Sequence, residues 1–409
     1  MGRYKHMMME MEDQGYDLSG KMVSPDCFDD VNLRKRLSKF GIDGICTYSH
    51  KKGIVVPMED AVGFINKYLL RYYDDPGQCD LYLASSFLDK GEEKDKDSLL
   101  DSFGPYLTTK GCEKYDNTEE FLESIGLQTD YDELNQDMIE AIGDHWWIER
   151  EPFIISLGDE LSMKWKHFSS NVMHRQRFTF LANQEFNGEP EHTDNGLFDI
   201  LTELGGIINK HGLCKELRAE ETMLYRARPL SRKVEHKFEE ITSPPDAAAK
   251  QNRMSPAGVS MFYGAFDLDT SLKESSWNGD GKGWFLTGEF KPLRPLKVLD
   301  LTSLPSPITF WLEGFEEVAF LKSFHKEITR YINRDDSIHV EYIPSQVFTE
   351  YLRFMFKTAP LDGMIYNSSL TGAKNIVLFC NNEESKELLV ATDIDEVDNR
   401  CWPKRTFCK

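Results

Sequence analysis

Long apolar runs are missing from this 409-residue chain. No stretch approaches the roughly 18 consecutive apolar residues that a membrane span needs. The opening MGRYKHMMMEMEDQGYDL lacks the apolar core of a secretory signal. No membrane association is expected, and the cytoplasm is the expected compartment. Disulfides are then not the expected use of the eight cysteines. Positive charge is also scarce: 48 basic residues face 69 acidic ones, for a formal net charge of -21. Such a surface repels polyanions, so nucleic acid is not an expected partner, while a local basic pocket for a nucleotide stays open. Solubility is the plain account of the charge. Internal repeats and coiled-coil heptads are absent too, so a homo-oligomer is possible but has no support from a repeat.

What is present divides into segments. At this length two or three domains of about 100–200 residues are expected. Residues 1–20 read as a polar, Met-rich tail. Residues 21–75 hold Ser24-Pro-Asp-Cys27 and Cys46-Thr-Tyr-Ser49-His50. The two cysteines are 19 positions apart, which suits the spacing of paired zinc knuckles. A structural zinc takes four Cys or His ligands, and serine stands at both outer positions. The expectation is a zinc-finger-like unit that has lost its metal, with His50 as the residue that would rescue a site. Val62, Ile65, Leu69 and Tyr72 then recur at helical spacing.

Residues 76–196 read as a mainly helical region. It opens with a charged solvated stretch (76–110), continues through EEFLESI and ELNQDMIEAIG, and ends in a polar connection at GEPEHTDNG. Trp146 and Trp147 are expected to pack between domains. The Arg-x4-6-His spacing of one helical ribonuclease family occurs at Arg334 to His339, in a polar turn where chance explains it. Residues 197–390 alternate helices and strands, with strands expected at 221–228, 284–290, 296–300 and 375–380. Residues 391–409 read as a polar tail.

Within 197–390 the organising stretch is NRMSPAGVSMFYGAFDLDTSLKE at 252–274. An arginine leads into a Ser-Pro-Ala-Gly turn, and an apolar run reads as a strand. Asp267 stands where an N-cap belongs, ahead of a short helix that carries Glu274. Arginine, tyrosine and glutamate in that order suit a site that holds a phosphate-bearing ligand. Taken singly, each has an ordinary structural reading: surface ion pair, core aromatic, helix cap or turn former.

Two further segments, LYRAR at 224–228 and DGMIYNSSLTGAKNIVLF at 362–379, stand with it. Together the three resemble the RES family, named for an arginine, a glutamate and a serine. The resemblance covers roughly residues 197–382, and YIPSQVFTEYLRF at 342–354 resembles the family's Pro-x-Gln-x-x-x-Glu helix. The amino-terminal part resembles the HEPN/RES amino-terminal domain often fused ahead of such modules. That domain typically carries the cysteine pairs whose outer members are serine here. The resemblance implies an α+β architecture. It has a C-terminal ADP-ribosyltransferase-like RES domain, with a mixed β core and flanking helices. A small zinc-finger-like unit and a mainly helical region precede it.

The resemblance also implies an NAD-consuming enzyme. Its catalytic positions fall on Arg226, Glu274 and Ser368, and its NAD-binding positions on Arg253, Tyr263 and Ser369. No metal takes part and NAD is substrate rather than cofactor. Ser255 departs from the more usual Asn-Pro-x-Gly loop. Cleavage of the nicotinamide–ribose bond is the expected chemistry, with water or inorganic phosphate as acceptor. A toxin or antiphage effector role is expected, restrained by the amino-terminal half or by an antitoxin or immunity partner. Two other readings stay open: an ADP-ribosyltransferase acting on a protein or small acceptor, and a non-catalytic scaffold on a decayed fold.

Overall fold

The computed structural model describes residues 18–74, 114–149, 156–178, 199–230, 235–276, 284–332, 338–356 and 360–398. The expectations for residues 1–17, the 76–110 stretch, GEPEHTDNG, Arg334 and residues 399–409 lie outside these. Two compact units emerge. One comprises 1–155 with 307–315, and the other 156–306 with 316–409.

The first unit begins with β1 (Met22–Val23), α1 (Val31–Leu37), β2 (Ile42–Ile45), β3 (Lys52–Pro57) and α2 (Met58–Leu69). β1, β3 and β2 form an antiparallel sheet in that order. Asp30 caps α1, its carboxylate accepting from the N–H groups of Asn32 and Leu33 at 2.7 and 2.9 Å. Val62, Ile65 and Leu69 of α2 are buried, as their helical spacing predicts. The unit continues with β4 (Tyr73–Asp74), β5 (Lys114–Tyr115), α3 (Thr118–Ser124), α4 (Asp132–Ile142) and β6 (Trp147–Glu149).

Trp147 corrects an expectation. Its ring stacks on Phe121 at 4.3 Å and its indole N–H donates to Thr118 Oγ1 at 3.0 Å. It is a core residue of this unit, because a buried indole needs both apolar packing and a hydrogen-bond acceptor. Its neighbour Trp146 is 39 % exposed. Residues 307–315, which the sequence reading kept within 197–390, also pack here. Trp311 is buried and stacks on Tyr68 at 5.2 Å, while Asn32 Nδ2 donates to the Pro307 carbonyl and to Thr309 Oγ1.

The second unit contains α5 (Leu157–His174), α6 (Asp199–Lys210), β7 (Cys214–Leu217), β8 (Leu224–Leu230), α7 (Phe238–Ile241), β9 (Phe262–Ala265), α8 (Leu268–Ser276), β10 (Trp284–Pro292) and β11 (Leu296–Asp300). After these come α9 (Phe315–Thr329), α10 (Ile338–Glu341), α11 (Ile343–Phe354), β12 (Gly363–Asn367), β13 (Lys374–Leu378), α12 (Glu384–Leu388) and β14 (Leu389–Asp398). Eight strands form one mixed sheet in the order β14-β10-β8-β9-β13-β12-β11-β7. β11 and β12 are parallel and the other neighbours antiparallel.

Strand alternation sorts the sheet's side chains into two cores. Met364, Tyr366 and Val377 join Trp165, Phe168, Leu204, Phe324 and Phe348 of the helices. Ile365, Ile376 and Leu378 join Phe262, Leu286, Phe290 and Val298 in the other. The expected tail from 391 is corrected in part: residues 389–398 are β14, paired with β10 from Leu389↔Pro292 to Asp398↔Trp284 with one register shift between Glu289 and Phe290. The segment reads as polar because it is an edge strand, held mainly by backbone pairing. Among the described residues no helix is long and apolar enough to cross a membrane.

Candidate functional site

The site is assembled around a weak joint in the sheet. β8 and β9 share a single register pair, Tyr225↔Ala265. Gly264 sits at this joint. A Cβ there would meet the Phe262 ring at 2.8 Å and the Tyr225 carbonyl at 3.1 Å, so only glycine allows the approach. One residue past the rung, Arg226 sends Nη1 across to the Tyr263 carbonyl at 2.6 Å, and its guanidinium lies 5.4 Å from the Phe262 ring centroid. Burial, with the like charge of Arg228 second, lowers the Arg226 pKa to about 10, which leaves it a cation at neutral pH.

Beyond β9, Asp267 accepts from the Thr270 N–H at 2.7 Å and starts α8, as the sequence predicts. The helix delivers Glu274. Its Oε1 accepts from Ser368 Oγ at 2.6 Å and from Asn375 Nδ2 at 2.8 Å. Ser368 follows β12 and is itself fixed: its oxygen accepts from the N–H groups of Leu370 and Thr371, each at 3.1 Å. Two donors on one carboxylate oxygen set the direction of the other oxygen. Asn375 Oδ1 is buried and has no hydrogen-bond partner. Ser369 is exposed and does not join this cluster.

Tyr263 is held by its phenol, which shares a 2.8 Å hydrogen bond with Ser255. Burial raises its pKa against that bond. The serine in the loop thus anchors the aromatic ring directly. Arg253 donates to the Ile328 carbonyl at 3.0 Å and lies 5.1 Å from the Tyr342 ring. Helix α11 pins its loop. Ser345 Oγ donates to the Arg253 carbonyl at 2.6 Å, and Gln346 Nε2 donates to the carbonyls of Asn252 and Ser255.

Direct hydrogen bonds thus join Glu274 to Ser368, and Arg226 to Tyr263 through the latter's backbone. Arg253 makes neither contact. Tyr366 relates the groups. Its side chain is buried, and burial is the first cause that holds its pKa well above the ordinary 10, with the Glu274 carboxylate adding to the rise and the Arg253 guanidinium opposing it.

Tyr366, Asn375, Ser345, Gln346 and His325 were not assigned to the site from the sequence. His325 Nε2 accepts the Asn367 N–H at 3.2 Å, next to Ser368. Burial lowers its pKa, with Asp300 opposing, so the neutral acceptor form is favoured. Two signals were available: Tyr366 lies two strand residues before Ser368, and Asn375 is the polar residue of the run NIVLF.

In the first unit, Cys27 Sγ and Cys46 Sγ lie 3.6 Å apart. Cys46 Sγ accepts from the N–H groups of Ser24 and Ser49 at 3.3 and 3.4 Å. Two thiols and two serine hydroxyls do not make the Cys/His set of a structural zinc. Among the described residues no cluster of three or more His, Cys, Asp or Glu could hold a metal.

A mixed eight-stranded sheet with flanking helices, and a half-buried carboxylate held by serine and asparagine, defines an α+β protein with a polar side-chain cluster on its sheet. Residues 223–398 match the RES domain, and residues 39–186 match HEPN/RES N-terminal domain 1. A segment matching the HEPN/RES amino-terminal domain thus precedes a segment matching the RES domain in this chain. No curated protein and no solved structure matches it.

Proposed function

We infer that the RES domain cleaves NAD between nicotinamide and ribose. The observation that carries this reading is the hydrogen bond from Ser368 to Glu274, between residues 94 apart in the chain. The nicotinamide ring of NAD is a pyridinium. When the C–N bond breaks, its electrons neutralise the leaving ring and positive charge passes to the ribose. The leaving group therefore needs no proton, and the demand is for an anion beside the forming oxocarbenium. The Glu274 carboxylate, oriented by Ser368 and Asn375, meets that demand. A preorganised charge of this kind contributes roughly a hundred- to thousandfold in rate.

Arg226 and Arg253 serve as the pyrophosphate and ribose-side clamps. Each carbonyl they contact takes one of several guanidinium N–H donors, and the rest suit phosphate oxygens. Tyr263 offers a ring for the nicotinamide. Asn375 Oδ1, buried without a partner, suits a ribose hydroxyl or the carboxamide NH2. Ser369 is left with a peripheral role at most. The acceptor is water, giving ADP-ribose, or inorganic phosphate, giving ADP-ribose 1″-phosphate. The sheet is read as ADP-ribosyltransferase-like, and the cellular role as NAD depletion by a toxin or defence effector with a restraining partner.

The test is purified full-length chain with NAD, with and without phosphate, followed by product identification. Nicotinamide release that Glu274→Gln abolishes supports the reading. Absence of release under both conditions, or label from NAD appearing on a macromolecule, rejects it.

A further inference from the structure

We propose that Cys27 and Cys46 form a reversible dithiol–disulfide pair, oxidised by hydrogen peroxide and reset by a thiol reductant. Their sulfurs are 3.6 Å apart in the described structure, and closing to the roughly 2.05 Å of a disulfide is a short step. Both thiols are buried, at 6 % and 0 % exposure, so an oxidant reaches the pair only through local opening of the two turns. Each sits at the base of a tight turn: Cys27 closes the short helix Pro25–Cys27, and Cys46 follows β2.

The serines that displace the outer ligands of a zinc site have a different effect here. Ser24 and Ser49 aim their N–H groups at Cys46 Sγ. Burial alone raises the pKa of Cys46. The Ser49 hydroxyl and the N–H groups of Ser49, Ser24 and Tyr48 outweigh it, and the net shift is downward. Cys27 goes the other way. Burial, its hydrogen bond with Cys46 and the charge of Cys46 raise it to about 11. One member of the pair is thus biased towards thiolate, the nucleophilic form, and its neighbour towards thiol. Of these donors only the Ser49 hydroxyl depends on serine, and the N–H groups belong to the backbone of the two turns.

The chemistry balances as follows. The Cys46 thiolate attacks one peroxide oxygen, an S–O bond forms, the O–O bond breaks, and hydroxide leaves as water after taking a proton. Cys27 loses its proton and attacks the Cys46 sulfur. The S–S bond forms, the S–O bond breaks, and the departing hydroxide takes that proton. The two sulfurs give up two electrons and the peroxide is reduced to two waters. A thiol reductant returns the pair by exchange.

The test uses full-length protein treated with hydrogen peroxide, alkylated, digested without reduction and read by mass spectrometry. A linked peptide pair containing Cys27 and Cys46, lighter by two hydrogens than the separate thiols, is expected as the principal cross-link. Dithiothreitol should abolish it. The Cys27→Ala variant should leave Cys46 as a sulfenic acid trapped by dimedone. The proposal is overturned if Cys27 and Cys46 stay alkylatable after peroxide while other cysteines oxidise. It is overturned equally if metal analysis finds stoichiometric zinc that protects both thiols. The wild-type peptide map decides the matter even if the variant fails to fold.

Discussion

Ser368 donates its hydroxyl hydrogen to Glu274 Oε1 at 2.6 Å, and Asn375 donates to the same oxygen at 2.8 Å. One carboxylate is therefore fixed by β13 and by the turn after β12. Glu274→Gln keeps an acceptor oxygen for both donors while removing the charge. Nicotinamide release should fall by about a hundredfold or more, with little change in melting temperature. A calorimetric melt alongside the activity assay separates the two effects. A Gln variant that is folded and active would remove the carboxylate from the mechanism.

Asn375→Asp places a second carboxyl against Glu274. Two like charges in contact cannot both ionise easily, so one pKa rises. The acid limb of the pH–rate profile should move to higher pH, and activity should recover as pH rises. Asn375→Ala instead removes one charge-assisted donor, which is worth about 1.5–3 kcal/mol, and should lower activity at every pH. Comparing the two profiles tests whether Asn375 acts on the carboxylate.

Arg226→Ala should cost stability as well as activity. The change removes the bond to the Tyr263 carbonyl at the single-rung joint and the contact with Phe262. A loss of about 1–3 kcal/mol in urea unfolding is expected. Arg226→Lys should recover little, because an ammonium lacks the planar fork.

His325 supplies a pH dependence of stability. Its folded-state pKa is lowered from the ordinary 6.5, chiefly by burial. As pH falls through about 6.5 the unfolded chain takes up the proton first, so unfolding is favoured. The contribution is fully present above about 6.5 and declines from there down to the depressed folded value. His325→Gln offers an acceptor that does not titrate. Melting temperatures measured between about pH 5 and 8 should fall less steeply for this variant than for the wild type.

Much of this arrangement could be read from residue order. The stretch 252–274 announces its capping Asp267, and the strands expected at 284–290 and 296–300 follow from apolar runs between turn residues. What escaped depends on partners remote in sequence. Gln346 is one more polar residue on a helix until its amide meets the carbonyls of Asn252 and Ser255. Asn375 is a polar interruption of a strand until Glu274 arrives beside it. Trp147 looks the same in a core as at a boundary, since both environments bury an indole. β14 was hidden because backbone pairing leaves no mark on side-chain pattern, and its acidic residues resemble a solvated tail.

That acidic strand has a consequence for how the molecule keeps to itself. β14 ends the eight-stranded sheet, so its outer backbone groups offer a template on which a foreign chain could lengthen the sheet. Asp393, Asp395, Glu396 and Asp398 surround that template with negative charge. Each copy of the protein thus repels the same edge of another, and acid or concentrated salt should weaken that guard first.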